Sequence, residues 1–162
     1  MRFRLVDKIL SLQSGRLIET VKAVSFEEYQ LSYPLGLDDQ WVPTLLVEAM
    51  LQSGNWLIIA SSNFTQLGLV VQIKKINIKR PPRQGERVRF EVGISSLRSE
   101  AALLEGRGWI GEEEIIEGLG CIATLAPLAD FEDPGDLRVI FSEIAPGVEL
   151  QPYPELVLPN GK

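Results

Sequence analysis

The alternation of hydrophobic and polar residues predicts two strands, then one helix, in the first part of the chain. Residues 3–31 alternate loosely around a turn at Ser14-Gly15, which predicts strands in RLVDKILSLQ and RLIETVKAV. Residues 32–42, SYPLGLDDQWV, combine Pro, Gly and two Asp and predict a loop. From Pro43 to about Ala60 the chain has helix formers, with a proline suited to the first turn. This helix is apolar on nearly all sides, so we expect it to be buried.

Four further strands are predicted after the helix, arranged as a meander. They are separated by Pro-Pro, Gly or acidic turns and read LGLVVQIKKINI, RVRFEVGISSL, AALLEGRGWI and EEIIEGLGCIATLAPL. Residues 129–162 hold five of the ten prolines and predict an irregular C-terminal extension that packs down at Leu137 to Phe141. We therefore divide the chain into a domain at 1–128 and this extension.

A long apolar helix amid about six strands predicts an α+β fold in which an antiparallel sheet wraps around the helix. That outline is typical of a hot-dog fold. The length of 162 residues, 45% of them hydrophobic, suffices for one domain with a core. No run approaches the roughly 18 apolar residues of a membrane span. The opening MRFRLVDKIL reaches Asp7 and Lys8 too early for a secretory signal, so we expect a cytoplasmic protein.

Two residue counts limit the chemistry of the chain. It contains no histidine, which removes Ser-His-Asp and Cys-His nucleophile systems and histidine-ligated zinc. Its one cysteine, Cys121, lies in an apolar segment, where we expect a buried, unreactive thiol. No acidic cluster has a metal-binding spacing, and the glycines of 106–120 do not follow a strand into a helix. We therefore predict no metal and no cofactor.

Charge is distributed unevenly along the chain. The net charge of −6 argues against general affinity for nucleic acid. Residues 74–89, KKINIKRPPRQGERVR, nevertheless carry seven Lys or Arg against one acid, a local charge of +6. One interpretation is a strand with a positively charged, solvated edge. The other is a surface that receives an anionic partner.

One polar stripe runs along the predicted helix. Thr44, Glu48, Gln52 and Asn55 are spaced four, four and three residues apart, which places them on one helix face. Because an ionised carboxylate is costly to bury without partners, Glu48 must face water, a paired donor or a cavity. The stripe is therefore either the wet side of the helix or a face that carries general acid/base chemistry.

The loop before the helix holds three further candidates. Asp38 and Asp39 favour a helix cap and dipole partner over catalysis. Tyr33, next to Pro34, is either a packed turn residue or a phenol that takes part in a reaction. The acidic run at 112–114 predicts an exposed hairpin turn.

Four segments occur in an order and spacing that together resemble a known family. FRLVDKILSLQSGRLIETVKAVS is similar to the family's opening, and LLVEAMLQSGNWLI to a central helix in which a carboxylate is followed four residues later by Gln. IKKINIKRPPRQGERVRFEV is similar to the strand and turns that follow, and GLGCIATLAPL to the closing strand. The family is the 3-hydroxyacyl-acyl-carrier-protein dehydratases, hot-dog proteins of bacterial fatty-acid synthesis. The resemblance covers about residues 3–128.

This resemblance implies roles for individual residues. Glu48 matches the carboxylate that helps the 3-hydroxyl leave as water, and Gln52 matches its helper. The family's base is a histidine in a Gly-His-Phe-Pro-Gly loop, which acts with the helix carboxylate of the other subunit. In this chain the loop reads LSYPLGLDDQWVPT, with Tyr33 or Pro34 near the place of the histidine.

The first functional hypothesis is a dehydratase-like subunit, noncatalytic or partner-dependent, that binds acyl thioesters on acyl carrier protein or CoA. The apolar helix face would line the acyl tunnel, and a histidine-bearing partner subunit would complete a site with Glu48. Five cations would attract the acidic carrier protein, namely Lys74, Lys75, Lys79, Arg80 and Arg83.

The alternative is an enzyme that works without histidine. It would be an acyl thioesterase with Glu48 as base or nucleophile, or a weak 3-hydroxyacyl dehydratase with Tyr33 as acid and Glu48 as base. A third possibility is a structural hot-dog dimer without an acyl ligand. The family implies a homodimer, a higher homo-oligomer, or a heteromer with a histidine-bearing subunit.

Overall fold

The computed structural model describes residues 4–30 and 41–157, which form a six-stranded antiparallel sheet around one long helix. The strands are β1 (Lys8–Gln13), β2 (Leu17–Ala23), β3 (Gln66–Ile78), β4 (Arg87–Arg98), β5 (Ala101–Ile110) and β6 (Glu113–Pro127). The helices are α1 (Phe26–Gln30), α2 (Pro43–Ser61) and α3 (Pro134–Ile144). The strand order is β1-β2-β4-β5-β6-β3, with β1 and β3 at the edges. The predicted α+β fold is confirmed. The predicted four-strand meander is wrong at β3, which pairs with β6 and not with β4. No helix in the described ranges is long and apolar enough to cross a membrane.

The central helix α2 packs closely on the sheet because two glycines lie beneath it. Gly106 on β5 and Gly118 on β6 are paired across the ladder, and a Cβ at either position would collide with Met50 of α2. The side chain of Met50 is fully buried in this space. Close helix–sheet packing therefore explains Gly106 and Gly118 of the glycine-rich run in β5 and β6.

A buried polar contact fixes α2 against β2. The Ser53 hydroxyl donates to the carbonyl oxygen of Ala49 at 2.8 Å and lies 2.7 Å from the Thr20 hydroxyl. Because the Ser53 proton is used within the helix, Thr20 must donate to Ser53. Both hydroxyls are thus paired in a fully buried position, as burial of polar groups requires.

The C-terminal extension differs from the irregular segment predicted, because it contains the 11-residue helix α3. Pro134 is the first residue of this helix, and the Asp133 carboxylate caps it by accepting hydrogen bonds from the backbone N–H groups of Gly135 and Asp136 at 2.7 and 3.1 Å. Proline is favoured at this position because its missing N–H would be unpaired anyway. The short helix α1 was also not predicted.

Candidate functional site

The polar stripe of α2 is held by hydrogen bonds that orient its carboxylate. The Gln52 side-chain amide donates to Glu48 Oε1 at 2.9 Å, and Gln52 Oε1 accepts from the backbone N–H of Leu5 at 2.8 Å. Leu5 is itself fully buried, so the backbone group that holds the Gln52 side chain belongs to a core residue. One carboxylate oxygen of Glu48 is therefore fixed, while Oε2 accepts no hydrogen bond from the described residues.

Asn55 continues the stripe and joins α2 to the edge strand. Its side-chain oxygen accepts a hydrogen bond from the backbone N–H of Gly68 on β3 at 2.8 Å. Thr44, the first residue of the predicted stripe, is exposed and lines neither of the clefts beside Glu48. The structure thus brings three of the four stripe residues, Glu48, Gln52 and Asn55, to one location.

A cleft of about 290 Å³ opens beside these three residues. Its walls are mostly apolar and come from α2, from the start of β3 and from the chain that follows β6. The lining side chains besides the stripe are Arg4, Trp56, Ile59, Leu67, Leu69, Leu128, Phe131, Glu132 and Leu137. A concave, mainly apolar cleft with a few convergent polar groups is the usual form of a small-molecule site.

A second, shallower groove of about 540 Å³ shares Glu48, Gln52 and Asn55 with the first and runs along β3. Among the described residues no strand pairs with the outer side of β3. This strand exposes Leu69, Val71 and Ile73, with 40%, 65% and 37% of their surface accessible. Glu48 therefore lies where an apolar cleft meets an unpaired apolar strand.

Two of the five cations predicted to bind a carrier are already paired within the chain. Lys79 Nζ lies 2.8 Å from Glu114, and the Arg80 guanidinium lies 2.8 Å from Glu86 and 2.9 Å from Glu113. These hydrogen bonds raise the pKa of Arg80 and hold the pKa values of its two carboxylate partners below their usual range. The hydrogen bond from Lys79 lowers the pKa of Glu114 in the same way.

The other three cations, Lys74, Lys75 and Arg83, have exposed side chains that form no ion pair with a described residue. The structure also assigns a contact to the acidic run of 112–114, which the sequence predicts as an exposed turn. Glu113 and Glu114 begin β6 and hold Arg80 and Lys79, although more than 30 residues separate the partners in the sequence. Opposite charge on the two strand ends, basic after β3 and acidic at the start of β6, is a sequence signal for this pairing.

The remaining candidates lie apart from the cleft or outside the described ranges. Tyr33, Asp38 and Asp39 belong to residues 31–40, which the structure does not describe, so their predicted roles stay predictions. Cys121 is buried, and burial, with a smaller contribution from Glu105, raises the pKa of its thiol. Within the described residues no three Asp, Glu or Cys side chains form a metal-ligating cluster.

Solved structures that resemble the chain define its class. A hot-dog-like protein from Thermanaerovibrio acidaminovorans matches with a TM-score of 0.58 and 15% identity, over 80% of this chain and 91% of the other. A hypothetical thioesterase from Streptococcus pneumoniae, solved with coenzyme A, matches with a TM-score of 0.60 and 8% identity, over 74% of this chain and 85% of the other. The fold is therefore that of the hot-dog proteins.

The amino-acid sequence identifies the family within this class. The chain is 32% identical over 123 residues to the 3-hydroxyacyl-acyl-carrier-protein dehydratase FabZ of Clostridioides difficile, a match that covers 72% of this chain and 82% of the relative. No family model matches the chain. The chain belongs to the 3-hydroxyacyl-acyl-carrier-protein dehydratase family, which confirms the resemblance.

Proposed function

We propose that this protein binds acyl thioesters carried on the pantetheine of acyl carrier protein or CoA, with the acyl chain in the cleft beside Glu48. The Glu48–Gln52 hydrogen bond at the mouth of that apolar cleft is the observation that carries the proposal. Relatives named as dehydratases of 3-hydroxyacyl carrier proteins support the substrate class. The hypothetical thioesterase solved with coenzyme A supports binding of a pantetheine-bearing ligand by the same fold.

The arrangement of Glu48 suits proton transfer to or from a bound thioester. Gln52 fixes one carboxylate oxygen and leaves the other directed to no described partner, so a substrate hydroxyl or water could occupy that position. General acid/base groups must lie within hydrogen-bond reach of the proton that they move. In its protonated form the Glu48 carboxyl would donate its proton to the leaving 3-hydroxyl, which departs as water and leaves a carboxylate; this is the role that the family resemblance implies for Glu48.

The chain lacks the second group that this dehydration uses. None of its 162 residues is histidine, and a positioned base contributes roughly 10²–10⁴ in rate. We therefore propose that dehydration by this chain alone is impaired, and that a histidine-bearing subunit completes the site where one is present.

The edge strand β3 supports the proposed association of subunits. A long edge that exposes Leu69, Val71 and Ile73 is a template for pairing with a second chain. The groove along this edge is lined in part by Glu48 and Gln52, so a second subunit paired at β3 would also enclose the candidate site. We propose a dimer joined at β3, formed by two copies or with a histidine-bearing relative.

The unpaired cations provide the proposed contact with the carrier. Lys74 and Lys75 lie on β3, and Arg83 lies in the turn that follows it. An acidic carrier would be steered to these side chains although the net charge of the whole chain is −6. Lys79 and Arg80 would take part in this contact less strongly, because carboxylates already hold them.

A second candidate function, thioester hydrolysis or weak dehydration, is favoured by Glu48 Oε2, which accepts no hydrogen bond from the described part of the chain. A carboxylate with one free oxygen at an apolar cleft can activate water or attack the thioester carbonyl. Tyr33 as the acid of a weak dehydratase belongs to this candidate as well.

Mass spectrometry of a 3-hydroxyacyl carrier protein incubated with the purified protein distinguishes these functions. A stable complex without loss of water is expected for the chain alone, and dehydration is expected after addition of a histidine-bearing family member. Release of the acyl group would instead establish the thioesterase. If the protein neither bound the carrier protein nor changed its acyl group, the proposal would be contradicted.

The variants Glu48→Gln and Glu143→Gln provide the matched comparison. Both exchange a carboxylate for an amide on an exposed helix position, but Glu143 on α3 does not line the cleft. Any reaction that depends on the site is lost in Glu48→Gln and kept in Glu143→Gln. Equal rates for Glu48→Gln and the parent would remove Glu48 from the mechanism.

A further inference from the structure

The end of the cleft away from Glu48 is built by residues 128–144, which we call the C-terminal arm. Leu128, Phe131, Glu132 and Leu137 of the arm line the same cleft as Glu48 and Gln52. The arm includes α3 and the 3-10 turn Leu128–Asp130 that follows β6. The cleft therefore combines residues of the hot-dog sheet and helix with residues of the extension.

Aromatic and cationic contacts fix the arm in place. The Phe141 ring is buried and lies 5.7 Å from Phe64, edge to face, and 6.0 Å from Trp56, which lines the cleft. The Arg138 guanidinium lies 4.4 Å above Phe64 and donates to the carbonyl and side-chain oxygens of Asn63 at 2.8 and 3.0 Å. Contacts of this kind hold α3 against the end of α2.

Hydrogen bonds secure the chain on both sides of α3. The backbone N–H of Leu128 donates to the carbonyl oxygen of Thr65 at 2.9 Å. Beyond the arm, the backbone N–H of Tyr153 donates to Ser61 at the last turn of α2 at 2.7 Å, and the Gln66 side chain donates to the carbonyl oxygen of Leu156. The arm is thus a fixed wall of the cleft.

The position of the arm relative to Glu48 follows from the helix. Glu48 and Ile59 both line the cleft and are eleven residues apart on α2, which corresponds to about 16 Å along the helix axis. The arm begins next to the start of β3, since Gln66 pairs with Pro127, and β3 follows the C-terminal end of α2. An acyl chain with its thioester at Glu48 therefore runs along Trp56 and Ile59 toward the arm.

We infer that the C-terminal arm sets the longest acyl chain that the site accepts, with Leu137 and Phe131 as the specificity-determining side chains. The ligand class is then acyl thioesters of limited chain length. Both side chains line the cleft; Leu137 is half-buried, and Phe131 has 49% of its surface accessible. This inference rests on the proposed function, that acyl thioesters bind beside Glu48.

Calorimetric titration with butanoyl-, octanoyl-, dodecanoyl- and hexadecanoyl-pantetheine tests the inference. In the parent protein, affinity rises about fourfold for each methylene newly buried, which corresponds to ~0.8 kcal/mol, and stops rising once the chain meets the arm. Leu137→Ala and Phe131→Ala move this limit to longer chains, and Leu137→Trp moves it to shorter chains. If Leu137→Ala does not fold, Phe131→Ala still tests the inference, because Phe131 is half-exposed and its removal costs less stability.

Val139→Ala is the matched control, because Val139 lies on the same helix, is 60% accessible and does not line the cleft. We expect the affinity of this variant to depend on acyl-chain length as that of the parent does. An unchanged limit in Phe131→Ala and in Leu137→Trp, with acyl pantetheines still bound, would overturn the inference and leave the proposed function standing. Binding of no acyl pantetheine by the parent protein would overturn the proposed function and the inference with it.

Discussion

The two edge strands of the sheet differ in how far the chain protects them. Edge strand β1 has six residues, contains a β-bulge between Ile9 and Ser11, and lies across a shallow groove from residues 147–153. Edge strand β3 has 13 residues, has a register shift of its own between Val70 and Gln72, and exposes Leu69, Val71 and Ile73 ahead of two exposed lysines. Because both strands have a register shift, the difference lies in their length and in their exposed apolar side chains, and long edges with exposed apolar side chains favour pairing with another chain. The comparison favours β3 over β1 as the edge of the proposed dimer.

The same comparison relates association to the candidate site. The groove along β3 includes Glu48 and Gln52, whereas the groove along β1 includes neither. Pairing at β3 would therefore change the solvent access of Glu48, and pairing at β1 would not. In the proposed heteromer, association at β3 would bring the partner subunit close to Glu48, where a histidine could complete the site.

The largest expected effect comes from placing charge on the β3 edge. The double variant Val71→Asp/Ile73→Asp would put two carboxylates into the proposed interface without partners, which is strongly unfavourable. We expect the dimer dissociation constant to rise more than about 100-fold, or ~2.7 kcal/mol. Sedimentation velocity over a range of protein concentrations measures this change.

The matched control for that variant is Leu10→Asp on β1. Leu10 has 43% of its surface accessible, similar to Ile73 at 37%, so the cost to the folded monomer is comparable. We expect Leu10→Asp to leave the sedimentation profile unchanged. Equal weakening by the β1 and β3 variants, or no dimer in the parent protein at any concentration, would remove the distinction between the two edges.

A smaller effect is expected where β3 ends, at the Arg80 cluster. There Arg80 joins the turn after β3 to Glu86 and to Glu113 of β6. Arg80→Ala removes both contacts, and we expect a loss of about 1 kcal/mol in the free energy of unfolding, at the upper end for exposed pairs. Urea denaturation at neutral pH measures it. Arg83→Ala is the comparison, because the Arg83 side chain forms no ion pair with a described residue and acts on Glu86 and Glu113 only through its charge, so we expect a smaller loss than for Arg80→Ala.

The contribution of this cluster depends on pH in a defined direction. The hydrogen bonds from Arg80 lower the pKa values of Glu86 and Glu113 in the folded protein. A carboxylate with a depressed folded pKa contributes stability above its unfolded pKa, and that stability is lost as the pH falls through the folded pKa. The parent protein therefore loses more stability than Arg80→Ala on acidification below about pH 4.5. If the free energy of unfolding of both proteins fell equally with acidification, Arg80 would not be the cause of the lowered pKa values.

Sequence periodicity predicted the helix α2 and the six strands, because residues close together in the sequence determine these elements. Pro43 begins α2 as expected, and the helix ends at Ser61, one residue beyond the predicted end. Spacing by four predicted that Glu48 and Gln52 share a helix face, and the two side chains form the hydrogen bond that such spacing permits. Alternation likewise predicted the six strands and the turn at Gly15, whose φ of +69° favours glycine.

Features that depend on distant partners were not predictable in this way. The basic segment was assessed by charge alone, and charge does not reveal that Glu113 and Glu114, on another strand, hold Arg80 and Lys79. The helix α3 was missed because prolines in residues 129–162 were interpreted as helix breakers. At Pro134 the proline begins the helix, and the Asp133 cap before it was the available signal.

The smallest effect concerns the contact between the β3 cations and a carrier protein. Lys74→Gln/Lys75→Gln removes two exposed charges from β3, and we expect three- to tenfold weaker carrier binding, about 0.7–1.4 kcal/mol, chiefly through slower association. The loss diminishes as salt is added, because exposed charges are screened. Surface plasmon resonance with immobilised acyl carrier protein at several salt concentrations measures it.

The control for this last prediction removes a paired cation together with its partner. Lys79→Gln/Glu114→Gln deletes an ion pair with a 2.8 Å separation and leaves the net charge unchanged. Because that pair presents little charge to a carrier, we expect its association rate to equal that of the parent. If the paired variant lost as much affinity as Lys74→Gln/Lys75→Gln, Lys79 itself would contact the carrier, and its bond to Glu114 would open on binding.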